Sequence, residues 1–475
     1  MIWKTAWKNV WRSPVRSLVV IASVTVGIFA GVFSVAFMNG MVAQRFDSAI
    51  EEEISHIQVT GKDFRLNNDP RILIRNADSL PVVIRRMPDV EAITGRTIVT
   101  GMASTATKSS GVLITGIDPS EEKMVFRINK TIIPSTGNFF EKSSKYDYAL
   151  VGQDLAKELN IIRFTVDSSL QAKLVSKEIP AEVIKKVMSL SGTRFNSEKK
   201  FESAVSSVLT GREERMYGAT IKSQAWTFRE NARLTLTFLD RNNNQVSALF
   251  RITGIYDITN SVFESSTIFV KRDVLCRLTG LGNDDLHQVV IKLKDSGSTL
   301  PVADRIRKLF PGYDVKTWKE LQPDLAMMTD YVHQIYGFFM TIILAALAFG
   351  IINTMLMAVL ERTKELGMLT AIGMNRRKVF SMIMLESVFL SVTGGISGMI
   401  VGWITVVISA SQGINFSKYA EGMEAIGYSA HIYPKISYSF FLLVTVLIII
   451  TGIASSVYPA YKALKLDPAE AIRTE

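Results

Sequence analysis

The sequence predicts an α-helical membrane protein with four transmembrane helices and a large α+β extracytoplasmic domain inserted between the first and second spans. Three observations carry that expectation. Uncharged apolar runs long enough to cross a bilayer of about 30 Å occur once near the start and three times after residue 330. The interval 42–330 contains no such run and mixes period-two with helical patterning. Lysine and arginine crowd beside the apolar runs, in those segments that four crossings would place on one side.

Residues 1–17 form an interfacial amphipathic helix. Trp3, Trp7, Val10 and Trp11 share one helical face, flanked by Lys4, Lys8 and Arg12. Indoles at headgroup depth and cations near anionic lipid make membrane lipids the first expected partner. Pro14 ends this helix. The run 18–41 is the first span. A signal peptide's apolar region is about 7–15 residues, so this longer run is an anchor, although Ser34-Val35-Ala36 mimics a cleavage site. Gly27 and Gly31 make a small-residue step that either seats a neighbouring helix or faces lipid.

In the domain 42–330, Ile54–Thr60, Gly111–Ile117, Arg233–Leu239, Ala248–Tyr256, Ser266–Val270 and His287–Leu293 read as strands. Asp154–Leu159, Arg272–Leu278 and Val302–Phe310 read as helices. Ile161–Asn231 is more polar and reads as an insertion or a second subdomain. Helical character resumes near Leu321 and enters the second span, 331–360, as a stiff stalk. The third span lies at 379–410, an outer loop at 411–436, the fourth span at 437–458 and a C-terminal tail at 459–475.

The formal charge is +10. Lys4, Lys8, Arg12 and Arg16, the group Arg362, Lys364, Arg376, Arg377 and Lys378, and finally Lys462, Lys465 and Arg473 all fall on one side of four spans. The positive-inside rule makes that side cytoplasmic, so both termini are cytoplasmic and the large domain is periplasmic in an inner-membrane, multi-pass protein. No DNA- or RNA-reading pattern accompanies the charge, and nucleic acid is not an expected partner.

Enzyme chemistry is not in view. No phosphate-cradling Gly-x-x-x-x-Gly-Lys-Ser/Thr loop and no Gly-x-Ser-x-Gly elbow occurs. The four histidines have no metal-ligand spacing, and the single cysteine, Cys276, cannot form an intrachain disulfide. Asp240–Asn244 opens like a calcium loop, but Gln245 replaces the turn glycine and Arg251 the bidentate glutamate, so it reads as a hairpin turn. Catalytic residues and metal ligands are expected to be absent.

Two features lie inside the third span. Gly394, Gly398 and Gly402 form a ridge suited to close helix packing. Glu386 is an intramembrane carboxylate, read as an anchor reaching back to Arg376, Arg377 or Lys378 in preference to a proton relay.

The most specific stretch is Glu361-Arg-Thr-Lys-Glu-Leu-Gly-Met-Leu-Thr-Ala-Ile-Gly373. Leu366, Leu369 and Ile372 recur at helical spacing, while Glu361, Arg362, Lys364 and Glu365 form a polar collar. With Arg376-Arg377 and Leu385-Glu386 it resembles the FtsX-like permease domain of ABC transporters. The ending Tyr458–Arg473, with Pro459, Ala460, Asp467 and Pro468, is similar to that family's C-terminal signature. Trp7–Arg16 resembles its entry helix. Gly116-Ile-Asp-Pro119 and Val151–Ala156 are similar to the extracytoplasmic domain of the MacB-type and lipoprotein-releasing (LolC/LolE) permeases.

The resemblance implies that 361–378, including Gly367 and Gly373, is a coupling segment docked on a separate cytoplasmic ABC ATPase dimer. That partner would hold ATP and magnesium, with no cofactor in this chain. It also implies a second permease protomer, the same or a related chain. With no fused ATPase in view, release of lipoproteins to a periplasmic carrier is the favoured activity. A MacB-like efflux permease working with a periplasmic adaptor is the alternative, and a non-transporting membrane receptor is the alternative of another class.

Overall fold

The computed structural model describes residues 2–74, 80–140, 146–195, 197–282 and 284–464. Two compact units separate by contact. One comprises Met1–Phe46, Asp324–Ala420 and Ser429–Glu475; the other comprises Asp47–Pro323 with Glu421–Tyr428.

In the first unit, four helices among the described residues are long and apolar enough to cross a membrane: Pro14–Glu53, Pro323–Glu361, Arg376–Gln412 and Tyr438–Leu464. The entry helix Ile2–Val10 precedes them, and the short helix Thr363–Ala371 joins the second to the third. The helices outrun the apolar stretches that locate them, because helix propagation needs backbone hydrogen bonds rather than apolar side chains. Val20, Val24, Ile28, Leu344, Ile351, Val379, Ile383 and Ile448 share one apolar core.

The second unit is α+β, inserted between the first and second spans as its sequence indicates. The strands are β1 (Ile57–Gly61), β2 (Val90–Ser104), β3 (Ser109–Ile117), β4 (Tyr148–Gly152), β5 (Ile162–Thr165), β6 (Arg194–Phe195), β7 (Trp226–Phe228), β8 (Arg233–Leu239), β9 (Gln245–Tyr256), β10 (Thr267–Lys271), β11 (Gln288–Leu293) and β12 (Tyr313–Thr317). The large sheet runs β12-β1-β11-β2-β3-β10-β4-β9-β8, and β8 pairs back onto β2. Strands β2, β3, β10, β4, β9 and β8 therefore close into a ring. Its core holds Ile114, Val151, Leu234, Leu236, Phe250, Ile252 and Ile268. Alternation on β8 buries Leu234, Leu236 and Phe238 and turns Arg233, Thr235 and Thr237 outward, as a half-buried strand requires.

Strand β2 belongs to two layers. Val90–Arg96 pairs with β11, and Thr97–Ser104 pairs with β3. Gly95, Gly101, Glu91 and Arg96 interrupt its apolar pattern, which is why alternation alone does not mark it. The antiparallel layer β12-β1-β11-β2 packs Ile57, Val59, Ile93, Val289 and Ile291 against Ile84 and Ile306.

The interval Ile161–Asn231 has its own sheet and its own apolar core. Strands β5, β6 and β7 form their own sheet, and helices Ser168–Ser176, Ala181–Met188, Glu198–Val208 and Gly211–Ala225 surround a separate core of Phe164, Leu174, Val187, Phe201 and Ile221. Asp240–Asn244 is the β8–β9 hairpin turn: the Asp240 carboxylate accepts from the Asn242 and Asn244 backbone N–H groups and from Asn244 Nδ2.

Candidate functional site

The segment 361–378 holds a short helix between two breaks. The second-span helix ends at Glu361, Arg362 leaves helical geometry, and Thr363–Ala371 resumes it. Gly373 has φ +94°, a conformation that L side chains rarely adopt, so glycine is what lets the chain reverse there. Asn375 then caps the third-span helix, its Oδ1 accepting from the Arg377 backbone N–H at 2.9 Å.

One face of this short helix is fastened to its own chain. Leu366 and Gly367 are buried, and Leu366 joins the core containing Ala6, Val10, Val359, Val379 and Met382. Leu369 packs against the same core. Arg12 pairs with Glu365 at 2.6 Å, and Arg16 with Glu361 at 2.5 Å. Both pairs are well exposed, so their value lies in orienting the helix rather than in stability. Lys364, Met368, Ile372 and Gly373 face outward; Met368 is 53% and Ile372 83% exposed. Of the polar collar, Glu361, Arg362 and Glu365 are paired within the chain while Lys364 is exposed, and of the apolar trio Ile372 is the exposed member.

Glu386 is 7% exposed. Its partners differ from those expected. Asn9 Nδ2 donates to Glu386 Oε1 at 2.6 Å, and Arg362 Nη1 lies 3.4 Å from Oε2. Arg362 Nη2 also donates to the Asn9 carbonyl at 3.4 Å. Arg376, Arg377 and Lys378 are exposed instead. Eight residues of helix separate Lys378 from Glu386, about 12 Å of rise, whereas Asn9 and Arg362 pack directly against that turn.

Asn9 is the residue that sequence reasoning missed. It follows Ala6 by three and precedes Val10, both buried, so its place on the inward stripe of the entry helix was available as a polar residue at a core position. The indoles of Trp3 and Trp7 meet the edge of Phe389 at 4.9 and 5.4 Å while remaining exposed. Asn9, Ser13, Arg16, Ser17, Arg362 and Glu386 line a small recess.

The glycines bring three helices together. A Cβ on Gly27 would lie 2.9 Å from Leu347, and one on Gly31 3.1 Å from Met340, so that face of the first span meets the second. A Cβ on Gly394 would lie 2.7 Å from Val24, on Gly398 2.7 Å from the Thr25 carbonyl, and on Gly402 2.9 Å from Val32. The ridge of the third span thus seats the other side of the first. Pro459 and Ala460 are buried within the fourth-span helix. Asp467 and Pro468 lie outside the described residues.

The arrangement fastens a surface helix to an apolar helical core.

Residues 337–468 match the family described as FtsX-like permease C-terminal, and residues 17–198 match the MacB-like periplasmic core domain. A macrolide export ATP-binding/permease protein MacB of Chlorobium luteolum is 31% identical over 205 residues, 41% of this chain and 28% of that protein. A lipoprotein-releasing system transmembrane protein LolC of Xylella fastidiosa is 21% identical over 235 residues, 48% of this chain and 55% of that protein. The chain therefore spans 28% and 55% of the length of these two curated relatives. The periplasmic region of MacB from Actinobacillus actinomycetemcomitans aligns with a TM-score of 0.31 and 8% identity, over 61% of this chain and 95% of that one; a score so low carries no argument. An FtsX-like permease C-terminal region therefore follows a MacB-like periplasmic core region along this chain.

Proposed function

We propose that this protein transmits ATP-driven motion from a cytoplasmic ABC ATPase dimer to its extracytoplasmic domain, as one of two permease protomers in an inner membrane. ATP and magnesium belong to the partner. The observation that carries the reading is the two-faced coupling helix: Leu366 and Glu365 fix one side to the apolar core and to Arg12, and Met368 and Ile372 present an apolar pair outward. An exposed apolar pair held on a rigid support is what a docking contact requires. A partner gripping it moves the second and third spans, because both helices are joined to it through short breaks.

The cargo follows the relatives. The macrolide-export name among them favours MacB-like export through a periplasmic adaptor; the LolC relative, at 21% identity, keeps lipoprotein release to a carrier as the second reading. Mass spectrometry of what copurifies with the tagged protein at native level separates them. An ATPase with an adaptor supports export, and an ATPase with triacylated lipoproteins supports release. The variant Met368→Glu/Ile372→Glu should lose the ATPase from either set. If the wild-type protein carries no ATPase, the transport reading falls and a receptor remains.

A further inference from the structure

The point where the chain enters and leaves the outer domain is organised by one side chain. The first-span helix does not end as an α-helix: its last residues, Ala49–Glu53, widen into a π-turn, a distortion that recurs at functional positions. Glu53 closes that turn and is 3% exposed. Its Oε2 accepts from Asn260 Nδ2 at 2.8 Å and from Gln322 Nε2 at 2.9 Å. Gln322 is the residue immediately before the helix Pro323–Glu361 that becomes the second span. A single carboxylate therefore ties the outgoing end of the first span to the incoming end of the second.

The other bond leads into the domain. Asn260 turns its Oδ1 to the backbone N–H groups of Val262 and Phe263 at 3.1 and 3.2 Å, capping the helix Ser261–Ser266. That helix carries Glu264, whose Oε1 accepts from the Gln153 backbone N–H at 2.5 Å, at the start of the helix Gln153–Glu158. Both helices pack on strands of the closed ring: Ser261–Ser266 runs directly into β10, and Gln153–Glu158 follows β4. Main-chain bonds reinforce the junction beside Glu53. The Trp318 N–H donates to the His56 carbonyl at 2.9 Å, β1 pairs with β12, and the Arg127 N–H donates to the Glu51 carbonyl at 2.8 Å.

From this geometry we infer that Glu53 is the positioning residue of the joint between the two stalk helices and the ring, setting how movement of either helix reaches the helices Ser261–Ser266 and Gln153–Glu158. The inference rests on the transmission reading above and adds to it a residue and a route. A carboxylate suits the task because one oxygen serves two amide donors, so neither Asn260 nor Gln322 can shift without disturbing the other.

The test uses the full complex of this chain with its copurified ATPase, reconstituted in lipid. Hydrogen exchange at 153–158 and 261–266 is compared with and without ATP and magnesium, alongside the hydrolysis rate. In the wild type, ATP changes exchange in both helices. In Glu53→Ala, hydrolysis stays within about twofold of wild type while the ATP-dependent change falls by about threefold or more. Glu53→Gln, whose amide oxygen still accepts, restores it; a purely packing role would not distinguish the two variants in this way. Should Glu53→Ala not assemble, Gln322→Ala removes one donor, leaves the Asn260 cap intact and is expected to give the same loss. An ATP-dependent change that survives intact in Glu53→Ala or Gln322→Ala overturns the joint and leaves transmission standing. A wild-type complex that hydrolyses ATP with no change anywhere in 47–323 overturns transmission and the joint together.

Discussion

The amide of Asn9 meets the carboxylate of Glu386 at 2.6 Å, joining residues 377 positions apart in the chain. The contact makes the entry helix part of the third span's packing. With Arg362 approaching the same carboxylate, one buried acid gathers the start of the chain, the break before the coupling helix and the third span. Arg12 and Arg16 repeat the connection outside the core, on Glu365 and Glu361.

Removing the hub should therefore cost more than removing either exposed ion pair. Glu386→Ala leaves the Asn9 amide and part of the Arg362 guanidinium without their partner, a loss of about 1–3 kcal/mol for a pair that keeps some solvent contact. Arg12→Ala should stay within about 0.5 kcal/mol. Thermal unfolding of the detergent-solubilised protein reads both. In a double-mutant cycle, Glu386→Ala with Arg362→Met should lose less than the two single changes together. Strict additivity would mean that the pair does not act as a unit.

The glycine ridge gives a sharper contrast. A Cβ at Gly398 would come within 2.7 Å of the Thr25 carbonyl and 2.9 Å of Ile28, whereas one at Gly350 meets nothing within 4 Å. Gly398→Ala must push the first and third spans apart and should cost about 1–3 kcal/mol, as overpacking does. Gly350→Ala should be neutral or stabilising by a few tenths, since it also removes backbone freedom from the unfolded chain. Melting temperatures of the two variants should move in opposite directions or differ by several degrees. Equal effects would show that the ridge is not a contact surface.

Much of this architecture is legible in the residues. Spans announce themselves by uncharged length, and Gly394, Gly398 and Gly402 by their spacing. Alternation marks β8 and most of β9. What is not legible depends on partners far along the chain. Nothing near Glu386 distinguishes Asn9 from the closer Arg376 as its partner, because a helix's reach is local while its packing is not. Strand β2 escapes alternation because its two halves serve different layers. The collar Glu361, Arg362 and Glu365 reads as polar contacts for a partner, yet Arg16, Glu386 and Arg12 of the same chain engage them.

In the outer domain, His56 is buried and its pKa is pushed down to about 4, mainly by burial and then by the nearby Lys292. Its Nδ1 accepts from the Leu293 backbone N–H at 3.2 Å, a role only an unprotonated nitrogen can fill. His287 is held down for the same first reason, with Nδ1 accepting from the Ile98 N–H at 2.8 Å. In the unfolded chain each would titrate near 6.5. The stability tied to the neutral form is complete above that value and is lost as pH falls below it, for His56 between 6.5 and about 4. For His56 the loss at the acid end is about 3 kcal/mol at about 1.4 kcal/mol per pH unit. His56→Asn, which keeps an acceptor for Leu293, should flatten that dependence when protection of the β11 amides is followed across pH 7 to 4.

Glu264 has the opposite dependence. Burial, and then the negative charges of Asp154 and Asp257, push its pKa up to about 9 against the bond from the Gln153 N–H, which pulls it down. At pH 7 the folded protein therefore keeps this carboxyl protonated, while the unfolded chain would release the proton near 4.5. The folded state binds the proton more tightly, so the contribution is complete below 4.5 and declines as pH rises from 4.5 to about 9. Glu264→Gln has nearly the same shape, retains an oxygen for the Gln153 N–H and carries no proton to lose. It should match wild type near pH 4.5 and exceed it by up to about 3 kcal/mol at pH 7, taking about 1.4 kcal/mol per pH unit over that interval. Thermal unfolding at pH 4.5, 6 and 7.5 checks the sign directly. A widening advantage with pH supports a neutral acid at the helix start. An advantage that shrinks as pH rises would mean that Glu264 is ionised in the fold, and that the bond to Gln153 is charge-assisted after all.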